Sequence, residues 1–99
     1  MNIIFEIVDK TGRKIRLTSK NWQHIIRKHP YIASCQDQIK ETLSNPDNIL
    51  DPQDIDEQKR YYYKYYKHRN SPNKFMLVVV KYLNGFGFVI SAHFVRNQR

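Results

Sequence analysis

Ten residues concentrate much of the chemistry available to this chain. Residues 21–30 read NWQHIIRKHP, and they hold His24, His29, Arg27, Lys28 and a tryptophan. Histidine exchanges a proton near neutral pH, so it can serve as acid or base. Arginine and lysine can hold a phosphate. Two later stretches add groups of the same kind. KRYYYKYYKH (59–68) sets tyrosines among lysines and an arginine, and VISAHF (89–94) carries Ser91 and His93. RNA cleavage without a metal requires such a set. The 2′-hydroxyl attacks the neighbouring phosphorus, a base takes its proton, an acid protonates the leaving 5′-oxygen, and cations steady the added charge. Tyrosines can stack on exposed bases.

Other chemistries fit less well. His24 and His29 are five apart, so they do not face one ligand point as a pair four apart would. A single cysteine and an acid-free second half leave few ligands for zinc or magnesium. There is no Gly-rich phosphate loop, and no carboxylate near Ser91 and His93 to complete a Ser–His–acid triad. No metal and no cofactor is expected. For His29 alone a structural role competes, because a histidine in the last turn of a helix interacts favourably with the helix dipole.

The elements that would position these groups can be read from pattern. IIFEIVD and RKIRLT alternate around the turn DKTG, so residues 3–17 predict a β-hairpin. Thr18 or Ser19 can cap a helix that ends near His29, since Pro30 disfavours helix at the residue before it. Trp22, Ile25, Ile26 and His29 fall on one stripe of that helix, with His24, Arg27 and Lys28 on another. SCQDQIKETLSNP predicts a second helix with Cys35, Ile39 and Leu43 as its apolar line. DNILDPQDIDEQ reads as a short strand and an acidic loop, and the tyrosine-rich segment as a strand.

Asn84-Gly85 between two strand-like runs is a strong hairpin signal. A two-residue loop there sets Phe75, Leu77, Val79, Lys81 and Leu83 opposite Phe94, Ala92, Ile90, Phe88 and Phe86. That face is apolar apart from Lys81 and is the expected seat of the helices. The other face would present Tyr82, Ser91 and His93. The architecture expected is α+β: an N-terminal hairpin and two helices on one face of an antiparallel sheet of about four strands, with an open basic face.

The 99 residues carry a net charge of +8, and the length suits one modest core. After Glu57 there is no Asp or Glu, while Asp47, Asp51, Asp54, Asp56 and Glu57 crowd together. A basic surface of this kind points to a polyanion, of which RNA or DNA is the usual one. The longest apolar run, Phe75 to Val80, is strand-sized, and no secretory signal opens the chain. Cys35 has no disulfide partner within the chain, which fits a reducing compartment. The reading is one soluble, cytoplasmic domain over residues 1–99, with no membrane partner.

TSKNWQHIIRKHP, IKETLSNPDNIL, RYYYKYY, FMLVVVKYL and GFVISAHF follow in an order that resembles the small barnase–EndoU–colicin–RelE-like (BECR) nuclease domains, particularly their phage-associated and toxin-like branch. The resemblance covers nearly the whole chain. It implies roles for His24, Arg27 and His29 through WQHIIRKHP, for Arg60 and Tyr62 or Tyr63 through RYYYK, and for Ser91 through VISA. His93 joins the candidate catalytic set from its place beside Ser91. Arg27, Lys28, Lys64, Lys67, Arg69, Lys81 and Arg96 are the candidate RNA contacts. The resemblance further implies a metal-independent endoribonuclease, toxin-like, with an acidic antitoxin or immunity-type protein as partner. The alternatives are a non-catalytic RNA- or DNA-binding module and a basic protein-interaction subunit.

Overall fold

The computed structural model describes residues 2–51 and 58–98. Its elements run β1 (Ile3–Val8), β2 (Lys14–Thr18), α1 (Ser19–Lys28), a 3₁₀ segment (Pro30–Ser34), α2 (Gln36–Ser44), β3 (Asn48–Leu50), β4 (Lys59–Tyr65), β5 (Phe75–Leu83) and β6 (Phe86–Val95). Residues 52–57, with most of the expected acidic loop, lie outside the described part. Local chemistry explains the boundaries. The Thr18 hydroxyl caps α1 by accepting the Asn21 N–H at 3.2 Å. Pro30 ends α1, with His29 at its C-cap in a non-helical conformation. Asn84 and Gly85 both take positive φ, 53° and 84°, as a tight hairpin turn of the mirror-image kind demands.

The class is α+β, but the sheet is mixed and six-stranded, in the order β1-β2-β6-β5-β4-β3. The expectation of about four antiparallel strands is therefore corrected. The N-terminal hairpin joins the sheet through a short parallel pairing of β2 with β6, Ile15↔Gly87 and Arg16↔Phe88. The three-residue β3 adds the far edge against Tyr61–Tyr63 of β4. Gly87 sits at the junction of three strands because no side chain fits there. A Cβ would stand 2.8 Å from Val80 Cγ1 and 3.1 Å from Ile15 Cγ1.

Among the described residues no strand pairs with the outer edge of β6 beyond Phe88, and α1 with the 3₁₀ segment takes that place. The Asn21 side-chain amide donates to the Val89 carbonyl at 3.0 Å. The Tyr31 hydroxyl accepts the Phe94 N–H at 3.0 Å. Backbone groups at an exposed edge are thereby satisfied and the edge is closed to further pairing.

The face assignment from sequence is reversed for β5 and for β6 up to Ile90, while past that point Ala92 and Phe94 face the helices and Ser91 and His93 the far side, as expected. The helices cover Met76, Val78 and Val80 of β5 with Val89, Ala92 and Phe94 of β6, together with Tyr62, Ile15 and Leu17. The stripe of α1 contributes Trp22 and Ile25, and that of α2 contributes Cys35, Ile39 and Leu43. Both sides of β5 from Met76 to Val80 are buried, so alternation could not distinguish them. Lys81 decides it physically, since an ammonium seated beneath the helices would lose its hydration.

The hairpin register also changes partway. Leu83↔Phe86 and Lys81↔Phe88 hold, but Val80 pairs with Val89 and Val79 with Ser91. Ile90 is the extra residue of a β-bulge. It packs on the far face with Tyr63, Leu77 and Val79. That face is apolar and closed at its centre, with Tyr63 0% exposed, rather than open and basic. No helix among the described residues is long and apolar enough to cross a membrane.

Candidate functional site

The turn that ends α1 brings His29 to the edge of β6. The His29 N–H still donates to the Ile25 carbonyl at 2.9 Å, while its ring stacks on His93. The two ring centroids lie 4.4 Å apart and the planes meet at 8°. Tyr31, just past Pro30, sets its ring edge-on to His29 at 6.2 Å. Since its hydroxyl accepts the Phe94 N–H, the hydroxyl proton is left to donate elsewhere. Ser91 lies two positions before His93, and cross-strand pairing puts both on the far face.

Electrostatics make this pair poised. Burial lowers the His29 pKa, and the Lys28 ammonium lowers it further. Burial also lowers that of His93, followed by His29 and Lys28. Two imidazolium rings in stacking contact repel, so the pair gains its protons in coupled steps. At neutral pH an unprotonated imidazole is present to accept a proton. His93 Nδ1 is buried and has no hydrogen-bond partner among the described residues.

Beside this pair runs a groove of about 700 Å³, whose walls include Tyr31 and Phe94. Lys64, Lys67 and Arg69 line it, as do Tyr65, Tyr66 and His68. The Arg69 guanidinium lies 3.9 Å from the centre of the Phe94 ring and 5.4 Å from that of Tyr31, and it donates to the Asn73 carbonyl at 2.8 Å. Three of the cations named from sequence thus share one groove next to the histidines.

Arg60 and Tyr62 belong to a different place. They lie on the helix side of β4, opposite Val80 and Val78, whereas His93 lies on the far side of the sheet, opposite Leu77. The Tyr62 hydroxyl donates to Asp9 and meets the Tyr82 hydroxyl at 2.5 Å. Asp9, at the end of β1, also accepts from the backbone N–H groups of Thr11 and Arg13 at 2.9 and 2.8 Å. Burial alone would raise the Asp9 pKa, but these hydrogen bonds outweigh it and hold it below the usual value. Burial first, then the bond to Asp9, pushes the Tyr62 phenol far above the ordinary range. Arg13 and Arg60 flank the Tyr82 ring at 4.7 and 5.5 Å, and Arg60 pairs with Asp51 at 3.0 Å.

The remaining candidates are scattered. His24 and Arg27 are exposed on α1, five and two residues before His29, and Lys28 is exposed at its end. Tyr63 is buried on the far face, in the cross-strand row Tyr63, Leu77, His93. Lys81 lines a separate apolar hollow with Lys20 and Phe88, and Arg96 is exposed past β6. Sequence reasoning overlooked Tyr31, although it directly follows the His-Pro pair. It also overlooked Asp9, whose only local mark was its place at a strand end before Thr11 and Gly12.

The histidine pair lies next to Tyr31, which also lines the groove of cations and aromatic rings. The chain belongs to the family described as phage-Barnase-EndoU-ColicinE5/D-RelE like nuclease2, whose profile matches residues 4–99. It is thus a nuclease-like domain of the BECR type. No curated protein and no solved structure gives a significant match.

Proposed function

We propose that this chain is a metal-independent endoribonuclease, toxin-like in its role, that cleaves RNA by attack of the 2′-hydroxyl. The observation that carries this reading is the His29–His93 stack, two coupled imidazoles held largely neutral by burial. His29 takes the proton of the 2′-hydroxyl as the 2′-oxygen bonds to phosphorus. His93 backs His29 through the ring stack. With both imidazoles in one stack, we assign the proton for the leaving 5′-oxygen to a second group. The Tyr31 hydroxyl has a proton to give, and the Tyr31 ring stands edge-on to His29. Lys28 and Arg69 steady the phosphate charge. The products are a 2′,3′-cyclic phosphate and a free 5′-hydroxyl.

Among the described residues no three His, Cys, Asp or Glu side chains gather as a metal site. The net charge of +8 supports an acidic antitoxin or immunity-type protein as the partner that restrains the activity in the cytoplasm. Purified protein incubated with RNA in excess EDTA tests the reaction. Cleavage with cyclic-phosphate ends is expected, and the His29→Ala variant should lose it. Activity that vanishes in EDTA and returns with magnesium would sink the mechanism. Salt-sensitive binding with no cleavage would select a binding module instead.

A further inference from the structure

We propose that Asn21 is a positioning residue for the histidine pair: its side-chain amide holds the bulge at Ile90, and the path through that bulge sets how His93 meets His29. The proposal rests on the nuclease reading for the use made of the pair, and it adds what fixes the pair's geometry.

The hairpin register shows what the bulge does. From the Asn84-Gly85 turn the ladder runs Leu83↔Phe86, Tyr82↔Gly87, Lys81↔Phe88 and Val80↔Val89. Continued unbroken, it would set His93 against Met76, which lies in the core beneath the helices. The extra residue sets His93 against Leu77 instead, on the far side. The same step places Ala92 and Phe94 in the core. Their burial favours the shifted register as a whole, but it does not fix the backbone path at the bulge itself.

Asn21 holds that path. A bulge leaves one residue out of the ladder and loosens the pairing around it. The Val89 carbonyl leads into this one, and the Asn21 amide donates to it at 3.0 Å. Asn21 is itself anchored, because its N–H donates to the Thr18 hydroxyl at the start of α1.

The lengths agree. Helix from Asn21 to His29 rises about 12 Å, and strand from Val89 to His93 extends at most about 13 Å. Helix α1 is therefore a strut against β6, gripping Val89 at one end and stacking His29 on His93 at the other. Just past the stack, the Tyr31 hydroxyl accepts the Phe94 N–H. That end of the segment is held by Tyr31 and the bulge end by Asn21.

Asn21→Asp separates this role from a general one. It keeps the shape, removes the donor and sets a carboxylate against the Val89 carbonyl. A carboxylate in the first turn favours the helix itself, so a loss seen here does not come from a weaker α1. Stacked rings shift each other's ring-proton resonances, so nuclear magnetic resonance reads the pair directly. In the parent, the His29 and His93 ring protons should stand apart from those of the exposed His24 and His68. In Asn21→Asp they should move toward the exposed histidines, with a melting temperature near that of the parent. The kcat for RNA should fall about ten- to hundred-fold with KM little changed, as for a misplaced catalytic group. Ile39→Val trims the α2 core; it should lower the melting temperature and leave the histidine signals in place. Asn21→Ala repeats the measurement without the added charge if the Asp variant does not fold.

The proposal is overturned if the Asn21 variants keep the parental ring signals, if Ile39→Val disturbs those signals equally, or if the signals move while kcat stays parental. The nuclease reading fails separately. A parent that cuts no RNA, yet whose ring signals depend on Asn21, keeps the positioning and loses the chemistry. A parent that cuts RNA, with Asn21→Asp unchanged in signals and in kcat, keeps the chemistry and loses the positioning.

Discussion

Two polar clusters, both rich in rings and charge, flank the same sheet and use their hydrogen bonds in opposite ways. In the cluster of Asp9, Tyr62 and Tyr82 the groups serve one another, with Asp9 accepting from two hydroxyls of other elements and from the backbone of its own turn. This ties the β1–β2 turn to β4 and β5, and the buried phenol of Tyr62 is held far from ionising. In the cluster of His29, His93 and Tyr31, capacity is left over. A buried ring nitrogen has no partner among the described residues, and a hydroxyl accepts without spending its proton. Saturated networks hold structure, whereas unsatisfied capacity in a half-open place is where chemistry is expected.

The largest effect that separates the two clusters is on rate. His29→Ala should lower RNA cleavage by about 10²–10⁴-fold, the usual worth of a positioned acid or base, with a small change in melting temperature. His24→Ala, on the exposed flank of α1, should lose less. Equal and near-parental rates for both, with intact folding, would remove the helix end from the active site.

The mirror image is expected at Tyr62. Tyr62→Ala removes a fully buried ring and should cost about 3–5 kcal/mol of stability. Tyr62→Phe strands a buried carboxylate acceptor and should cost about 1–3 kcal/mol. Cleavage by the Phe variant, measured well below its melting temperature, should stay near that of the parent. A large rate loss with no loss of stability would move Tyr62 into the chemistry and merge the two clusters.

These clusters were unequally legible in the sequence. The α1 boundaries, the Cys35–Ile39–Leu43 stripe and the Asn84-Gly85 turn follow from local rules and stand in the structure. The helix end at His29 followed from Pro30 alone. The stack with His93 could not be read, because it depends on the bulge at Ile90, and one extra residue shifts every later pairing in β6. Asp9 and Tyr62 lie 53 positions apart, and no periodicity joins them. The two-rung parallel contact that brings the N-terminal hairpin into the sheet is equally silent. Tyr62 and Tyr63 were expected on opposite faces, and they are. The second face, however, is covered rather than open, since apolar side chains from β3, β5 and β6 close over Tyr63.

Gly87 offers a sharper control on the scaffold that both clusters share. Gly87→Ala places a methyl group against Val80, Tyr82 and Ile15 and should cost about 1–3 kcal/mol as an overpacked core site. Because Tyr82 is one of the crowded neighbours, near-ultraviolet circular dichroism should change with stability. Parental stability in this variant would show that the β2–β6 junction yields easily, and would weaken the case for the Asp9 network as a rigid tie.

The smallest expected effect is on the pH dependence of stability, and it assigns a separate window to each cluster. His29 and His93 have folded-state pKa values below the ordinary 6.5. Between that lower value and 6.5 the unfolded chain binds more protons than the folded one, so stability rises with pH there and falls as the solution is acidified. Asp9 is lowered from 3.8. Its contribution is present above 3.8 and is lost only as pH falls through the lower folded-state value. Urea melts from about pH 7 to pH 3 should therefore show an early loss beginning near 6.5 and a later one below 3.8. His93→Gln should flatten the early loss and leave the later one, and Asp9→Asn should do the reverse. His29 and Lys28 face His93 and act in the same direction, so His29→Gln should also flatten the early loss. The same shift places the acid limb of cleavage below 6.5, since the base must be neutral to work. A parent whose stability does not change between pH 7 and pH 5, or an early loss untouched by His93→Gln, would show that the histidines do not titrate as a buried pair.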